Sequence, residues 1–146
     1  MHKVIFFTVL FFSVHMGLQV SAQCDQAFIN KCADNGENVK YVKHFRIRFE
    51  ESKSEKKRSE MSFSVMLNKG NHYRFITCND PSKPGITIIE LSDDFGNFGG
   101  NYNGQTDKEY KAFDFLCTKT GPYYLRMFFK DGKAGCGVCV MALVID

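Results

Sequence analysis

Met61 to Cys78 reads MSFSVMLNKGNHYRFITC, and its apolar side chains recur at every second residue. Met61, Phe63, Val65 and Leu67 alternate with Ser62, Ser64 and Asn68. Period two belongs to a strand with one covered face; a helix would need 3.6. Asn68-Lys69-Gly70-Asn71 carries turn chemistry, and His72 to Cys78 returns as a second strand, so the stretch predicts a hairpin. The same period extends upstream, where Tyr41, Phe45, Ile47 and Phe49 alternate with Val42, His44, Arg46 and Arg48. Downstream, Ile86–Ser92, Tyr110–Cys117, Tyr123–Phe129 and Gly137–Ile145 repeat the pattern, with a further strand near Phe98 to Asn103. Pro and Gly punctuate the intervals, at Asp80-Pro81, Pro84-Gly85, Thr120-Gly121-Pro122 and Asp131-Gly132-Lys133. Seven or eight short strands at this spacing predict an all-β, antiparallel, jelly-roll-like β-sandwich. Gln23 to Asp34 (QCDQAFINKCAD) breaks the rule and predicts a short helix, with Cys24, Phe28 and Cys32 on one face.

Before that helix, Lys3 is followed by an apolar run from Val4 to Val14, and then by Val20-Ser21-Ala22. This order predicts a signal peptide over residues 1–22, cleaved before Gln23, and a single domain over residues 23–146. The apolar run falls short of the roughly 20 residues that span a bilayer, and Val138 to Ile145 is shorter still. A lipidated Cys24 would need a small residue where Gln23 stands. The expected location is therefore secreted or periplasmic, with no membrane span after processing. Loss of Lys3 lowers the net charge from +3 to +2. The densest charge run, Glu50 to Glu60, contains four bases and four acids, so it offers no surplus for nucleic acid. A composition 44% apolar and 24% charged excludes a disordered chain or a coiled-coil rod.

All six cysteines, Cys24, Cys32, Cys78, Cys117, Cys136 and Cys139, follow the leader, and an even count in an exported domain points to disulfides. Two helical turns place Cys24 and Cys32 about 12 Å apart, beyond the roughly 7 Å Cα reach of a bridge. Cys136 and Cys139 on one strand are about 10 Å apart and face opposite ways. The apolar runs ending at Cys78 and Cys117 suggest that these two pair, leaving Cys24 and Cys32 to tie the N-terminal segment to the last strand. Cys136-Gly137-Val138-Cys139 is formally C-x-x-C, which makes a thiol-redox role one alternative, although it runs into strand-forming VCVMALVI and not a helix. The spacings provide no zinc site, and no metal or cofactor is expected.

FSVMLNKGNHYRF, IIELSDDFG and FDFLCTKTGPYYLRM together form a scheme: an apolar strand, Gly-x-x-Tyr, a strand ending in Leu-x-Asp, and an aromatic strand before Thr-Gly-x-Tyr-x-Leu. Over residues 40–145 it resembles the pre-peptidase C-terminal jelly-roll domain. It is similar also to small, cysteine-containing, uncharacterised secreted bacterial proteins. The resemblance implies an accessory or binding module without catalysis. The six cysteines and the segment Gln23–Asp34 depart from the pre-peptidase pattern, and no protease domain accompanies it.

The sequence contains no G-x-S-x-G, H-E-x-x-H or P-loop, and neither His44 nor His72 has an identifiable partner, so no enzyme is expected. The Gly- and Asn-rich segment Asp93–Thr106 (DDFGNFGGNYNGQT) is the candidate binding loop. Phe95, Phe98 and Tyr102 offer aromatic faces to a sugar or apolar group, and Asn97 and Asn101 offer amides. Asp93, Asp94 and Asn97, with Asp107 or Glu109, lack calcium-loop spacing. Lys40, Lys43, Arg46 and Arg48 suggest a basic strand face that guards an edge or meets an acidic glycan or membrane. The expected function is non-catalytic binding of extracellular protein or polysaccharide. A structural subunit of a cell-surface complex is the other alternative.

Overall fold

A computed structural model describes residues 24–34 and 36–145. The expected leader lies outside the described residues. Helix α1 (Gln26–Ala33) is followed by β1 (Val39–Phe49), β2 (Glu60–Leu67), β3 (His72–Asn79), β4 (Thr87–Ser92) and β5 (Asn97–Gly100). The short strands β6 (Tyr102–Asn103) and β7 (Lys108–Glu109) pair with each other. Then come β8 (Ala112–Leu116), β9 (Gly121–Phe129) and β10 (Gly135–Val144). Eight strands form two four-stranded antiparallel sheets, ordered β1-β10-β3-β8 and β2-β9-β4-β5. First strand beside last, and strands alternating between the sheets except at the β4–β5 hairpin, is the double-sheet jelly-roll arrangement.

The expected hairpin at residues 61–78 is instead a crossing between sheets: β2 pairs with β9, and β3 with β10 and β8. Burial explains the exchange. The runs most continuously apolar, in β9 and β10, take central positions, as strands covered on both faces do. Their insertion separates β2 from β3. Phe45, Ile47, Val65, Phe75, Leu91, Leu125, Met127 and Phe129 fill the space between the sheets. The outer face of β3 and β10 carries a second cluster, where Ile29 and Cys32 of α1 pack on Ile76, Val138 and Val140. Asp25 caps α1, its carboxylate accepting the Phe28 N–H at 2.8 Å.

Two disulfides fasten this helix to the sheet. Cys24 bonds Cys136 at the start of β10, and Cys32 bonds Cys78 in β3, each with Cα atoms 5.8 Å apart. The tie from Cys24 to the last strand is as expected, but the expected tie from Cys32 to that strand is not formed, because α1 docks with Cys32 over β3. The expected Cys78–Cys117 bridge is not formed: Cys78 points outward to α1, while Cys117 is buried between the sheets as a free thiol. Cys139 is also free and buried. Cys24 itself lies outside the helix, in the left-handed region at φ 59°.

The two tyrosines of the Gly-x-x-Tyr and Thr-Gly-x-Tyr motifs lock chain reversals at one end of the sandwich. Tyr73 Oη accepts the Asn68 N–H (3.0 Å) and an Asn71 amide hydrogen (3.1 Å), closing the β2–β3 crossing. Tyr123 Oη donates to the Lys119 carbonyl at 2.8 Å across the β8–β9 turn. Burial, then the neighbouring Cys117, push the Tyr123 phenol up to about 12.

Candidate functional site

The segment Asp93–Thr106 is more ordered than its Gly and Asn content suggests, and it distributes its candidate residues over separate surfaces. Asp93 Oδ1 accepts the N–H groups of Phe95 and Gly96, forming the β4–β5 turn. Phe95 projects from that turn, 84% exposed, with the Lys119 ammonium 4.8 Å from its ring centre. Asn97 Oδ1 accepts the Gly99 N–H at 2.6 Å. Phe98 turns back, packing on Phe115 and Tyr123 at 5.2 and 5.6 Å, so it covers the gap between edge strands β5 and β8. Tyr102 lies on the outer side of the β2-β9-β4-β5 sheet and donates to Asp107 at 2.8 Å. Lys130 binds Asp107 (2.9 Å) and Glu109 (3.2 Å) there. Its ammonium is held above the usual lysine range, first by the Asp107 hydrogen bond. Phe95 and Tyr102 line two different small recesses, of about 80 and 130 Å³. The three aromatic rings therefore do not form one platform.

Asn101 is 1% exposed and works as a clamp. Its Oδ1 accepts the Ile89 N–H at 2.8 Å. Its Nδ2 faces the Thr77 hydroxyl and the Thr87 and Tyr110 carbonyls at 3.2, 3.0 and 3.1 Å. With its amide engaged on four sides, it is a wall of a site and not a ligand contact. Close approach is required here, since a Cβ at Gly100 would meet the Ile89 carbonyl oxygen.

That wall bounds a cleft of about 840 Å³ on the outer face of β3 and β8. Its floor contains Ile76, Ala112 and the pair Arg74–Asp114. The guanidinium donates through Nε and Nη2 to both carboxylate oxygens, at 2.7 and 2.8 Å. This pairing, foremost the hydrogen bond, holds the Asp114 carboxyl below its ordinary range. Glu37, Glu109 and Lys111 stand around the rim, with Asn79 and the half-exposed ring of Tyr110, over which the Lys108 ammonium lies at 5.0 Å. The Thr87 hydroxyl, packed toward Gly137, has no hydrogen-bond partner among the described residues. Asn101 is the sole residue of the five predicted binding residues that borders this cleft. Arg74 and Asp114 were visible in the sequence as polar positions of two strands. That they face each other depends on the β3–β8 register, which local patterning does not contain.

The basic residues of β1 do not share one face either. Alternation turns His44, Arg46 and Arg48 outward and Lys43 to the opposite side, at the rim, and the register shift between Tyr41 and Lys43 puts Lys40 on the side of Lys43. Cys136 and Cys139 project from opposite faces of β10, and Cys136 is joined to Cys24. Burial raises the Cys139 thiol well above the usual range. Among the described residues, no group of three or more His, Cys, Asp or Glu side chains is placed to hold a metal ion. No helix among them is long and apolar enough to cross a membrane. No protein-family model matches the chain, and no curated protein matches it.

Proposed function

We propose that the chain is an exported, non-catalytic binding module that takes a polar ligand, polysaccharide or protein, in the β3–β8 cleft. The cleft itself carries this reading: about 840 Å³ of recess whose lining combines an exposed aromatic ring, an amide and charges of both signs. Tyr110 offers a stacking face, and the Asn79 Nδ2 hydrogens, whose companion Oδ1 already accepts the Thr87 N–H at 2.7 Å, and the rim charges offer directional partners for hydroxyl or peptide groups. Two disulfides support an oxidising, extracytoplasmic location, and the resemblance to the pre-peptidase C-terminal sandwich suits an accessory role.

The test is an array of neutral and charged oligosaccharides probed with the oxidised mature chain, followed by titration of any ligand bound. Tyr110→Ala, which removes the stacking face, should weaken a cleft ligand by about tenfold. Binding indifferent to Tyr110→Ala and Asn79→Ala would remove the cleft from consideration. The reading as a structural subunit draws on a different observation. Met66, Phe95 and Leu116, exposed by 64, 84 and 62%, surround one end of the sandwich. Stable oligomers broken by Met66→Lys and Phe95→Lys would favour that reading.

A further inference from the structure

We infer that the open flank between β1 and β2 is a second binding site, for an anionic polysaccharide with sulfate or carboxylate groups. Here the edge strands of the two sheets face each other across a groove of about 580 Å³. Lys43, His44 and Arg46 line it from β1, Ser62 and Ser64 from β2, and Gln26 from α1. None of the lining residues is acidic, on a chain whose charges nearly balance overall. The segregation is local and set by strand alternation: Lys43, in step with the buried Phe45 and Ile47, lies at the rim on the side facing β2, while His44 and Arg46 stay on the outer side. Arg46 is anchored by donating to the Cys24 carbonyl at 2.9 Å, and His44 by a 2.8 Å contact between its Nδ1 and the Tyr41 hydroxyl. Lys43 lies over the Phe45 ring at 5.3 Å, and Phe45 in turn stacks on Phe63 at 5.0 Å, so an aromatic pair closes the floor.

The arrangement selects among anions. Lys43 and Arg46 are three residues apart, about 10 Å along a strand, so engaging both calls for a ligand with spaced charges and not one phosphate. The serine hydroxyls and the Gln26 amide suit the hydroxyls between those charges. A bilayer surface presents its charges in a plane, whereas Lys43 and Arg46 lie on opposite sides of β1 and suit a chain that passes around the strand edge. The groove lies on the opposite flank of the sandwich from β5 and β8, and its occupation does not depend on the β3–β8 cleft.

The experiment titrates the oxidised mature chain with dextran sulfate, polygalacturonate, neutral dextran and phosphatidylserine vesicles at about 50 mM salt, where screening is modest. One or both polyanionic saccharides should bind, and neutral dextran should not. Lys43→Glu on β1 and Ser64→Asp on β2 should each weaken binding by about tenfold or more. Lys69→Glu, an equal charge change on the β2–β3 turn, should stay within about twofold by the same arithmetic. The proposal is overturned if neither polyanion binds, if vesicles bind and the saccharides do not, if the groove variants bind as wild type does, or if Lys69→Glu weakens binding as much as Lys43→Glu.

Discussion

Asn101 illustrates how one side chain can do the work of a stretch of secondary structure. The chain leaves β5 there: the Asn101 N–H still reaches the Ile89 carbonyl, but the Ile89 N–H is met by the Asn101 side chain, which also joins β4 to Thr77 of β3 and to the start of the β8 segment. Asn101→Ala leaves the Ile89 N–H without its acceptor and takes the amide donor from the buried Thr87 carbonyl and the part-buried Tyr110 carbonyl. A loss of about 3 kcal/mol is expected in urea unfolding, against less than about 0.5 kcal/mol for the exposed Phe95→Ala. Similar values for the two variants would contradict the clamp. A glycine- and asparagine-rich sequence looks alike whether its asparagines serve a ligand or its own backbone, which is why Asn101 reads as a binding residue before its burial is known. The Arg74–Asp114 pair permits a pH test. The Asp114 pKa is lowered in the folded state, so its contribution is present above the unfolded carboxylate value of about 3.9 and is lost as pH falls through the depressed folded value. Half-exposed and screened, the pair contributes at most about 1 kcal/mol near neutrality. Wild type and Asp114→Asn should therefore differ slightly at pH 7 and converge in acid. A gap that persists or widens in acid would show that Asp114→Asn acts through something other than charge.

Among the elements, strands were legible and their partners were not. The alternation in β2, or Tyr123 to Phe129 in β9, is a local signal that survives any arrangement of sheets. Which sheet each strand joins depends on which runs are apolar on both faces, a comparison across the whole chain. The cysteines follow the same division. Geometry along one element excluded Cys24–Cys32 and Cys136–Cys139, but the partner of Cys78 is set by α1 docking on the outer face of β3 and β10. The bridges span 112 and 46 residues, and chain-entropy arguments give about 4–5 kcal/mol for each. Cys24→Ser/Cys136→Ser and Cys32→Ser/Cys78→Ser should each lose stability on that scale in denaturant titrations, and a loss below about 1 kcal/mol would contradict the account. Intact mass after alkylation without reduction counts the bridges, and a non-reduced peptide digest identifies their partners. Cys117 and Cys139 should resist alkylation in the native protein, and two labels should appear on denaturation. Zero labels would mean a third bridge, and four or more a missing one.

At the scale of the whole molecule, the topology makes the first strand pair with the last, Val39 with Val144 and Phe49 with Gly135. No local hairpin prepares that pairing, and closing a loop of this length costs about 4 kcal/mol before any ladder bond is gained. Jelly-roll sheets of this order are accordingly slow to form, since β10 must enter between β1 and β3. The Cys24–Cys136 bridge lies at the same junction: Cys136 is opposite Arg48, whose neighbour Ile47 has its carbonyl against the Cys24 sulfur. In the oxidised unfolded chain this bridge already keeps the N-terminal segment beside the start of β10. Most of the closure entropy is then absent from the folding barrier if β1 and β10 pair within the transition state, which in small domains has buried most of the native surface. The oxidised chain should refold at least about tenfold faster than Cys24→Ser/Cys136→Ser, while unfolding rates differ less. Tyrosine fluorescence can follow this, because the chain has six Tyr and no Trp. Equal refolding rates, with the stability difference appearing in unfolding, would place the β1–β10 junction after the barrier.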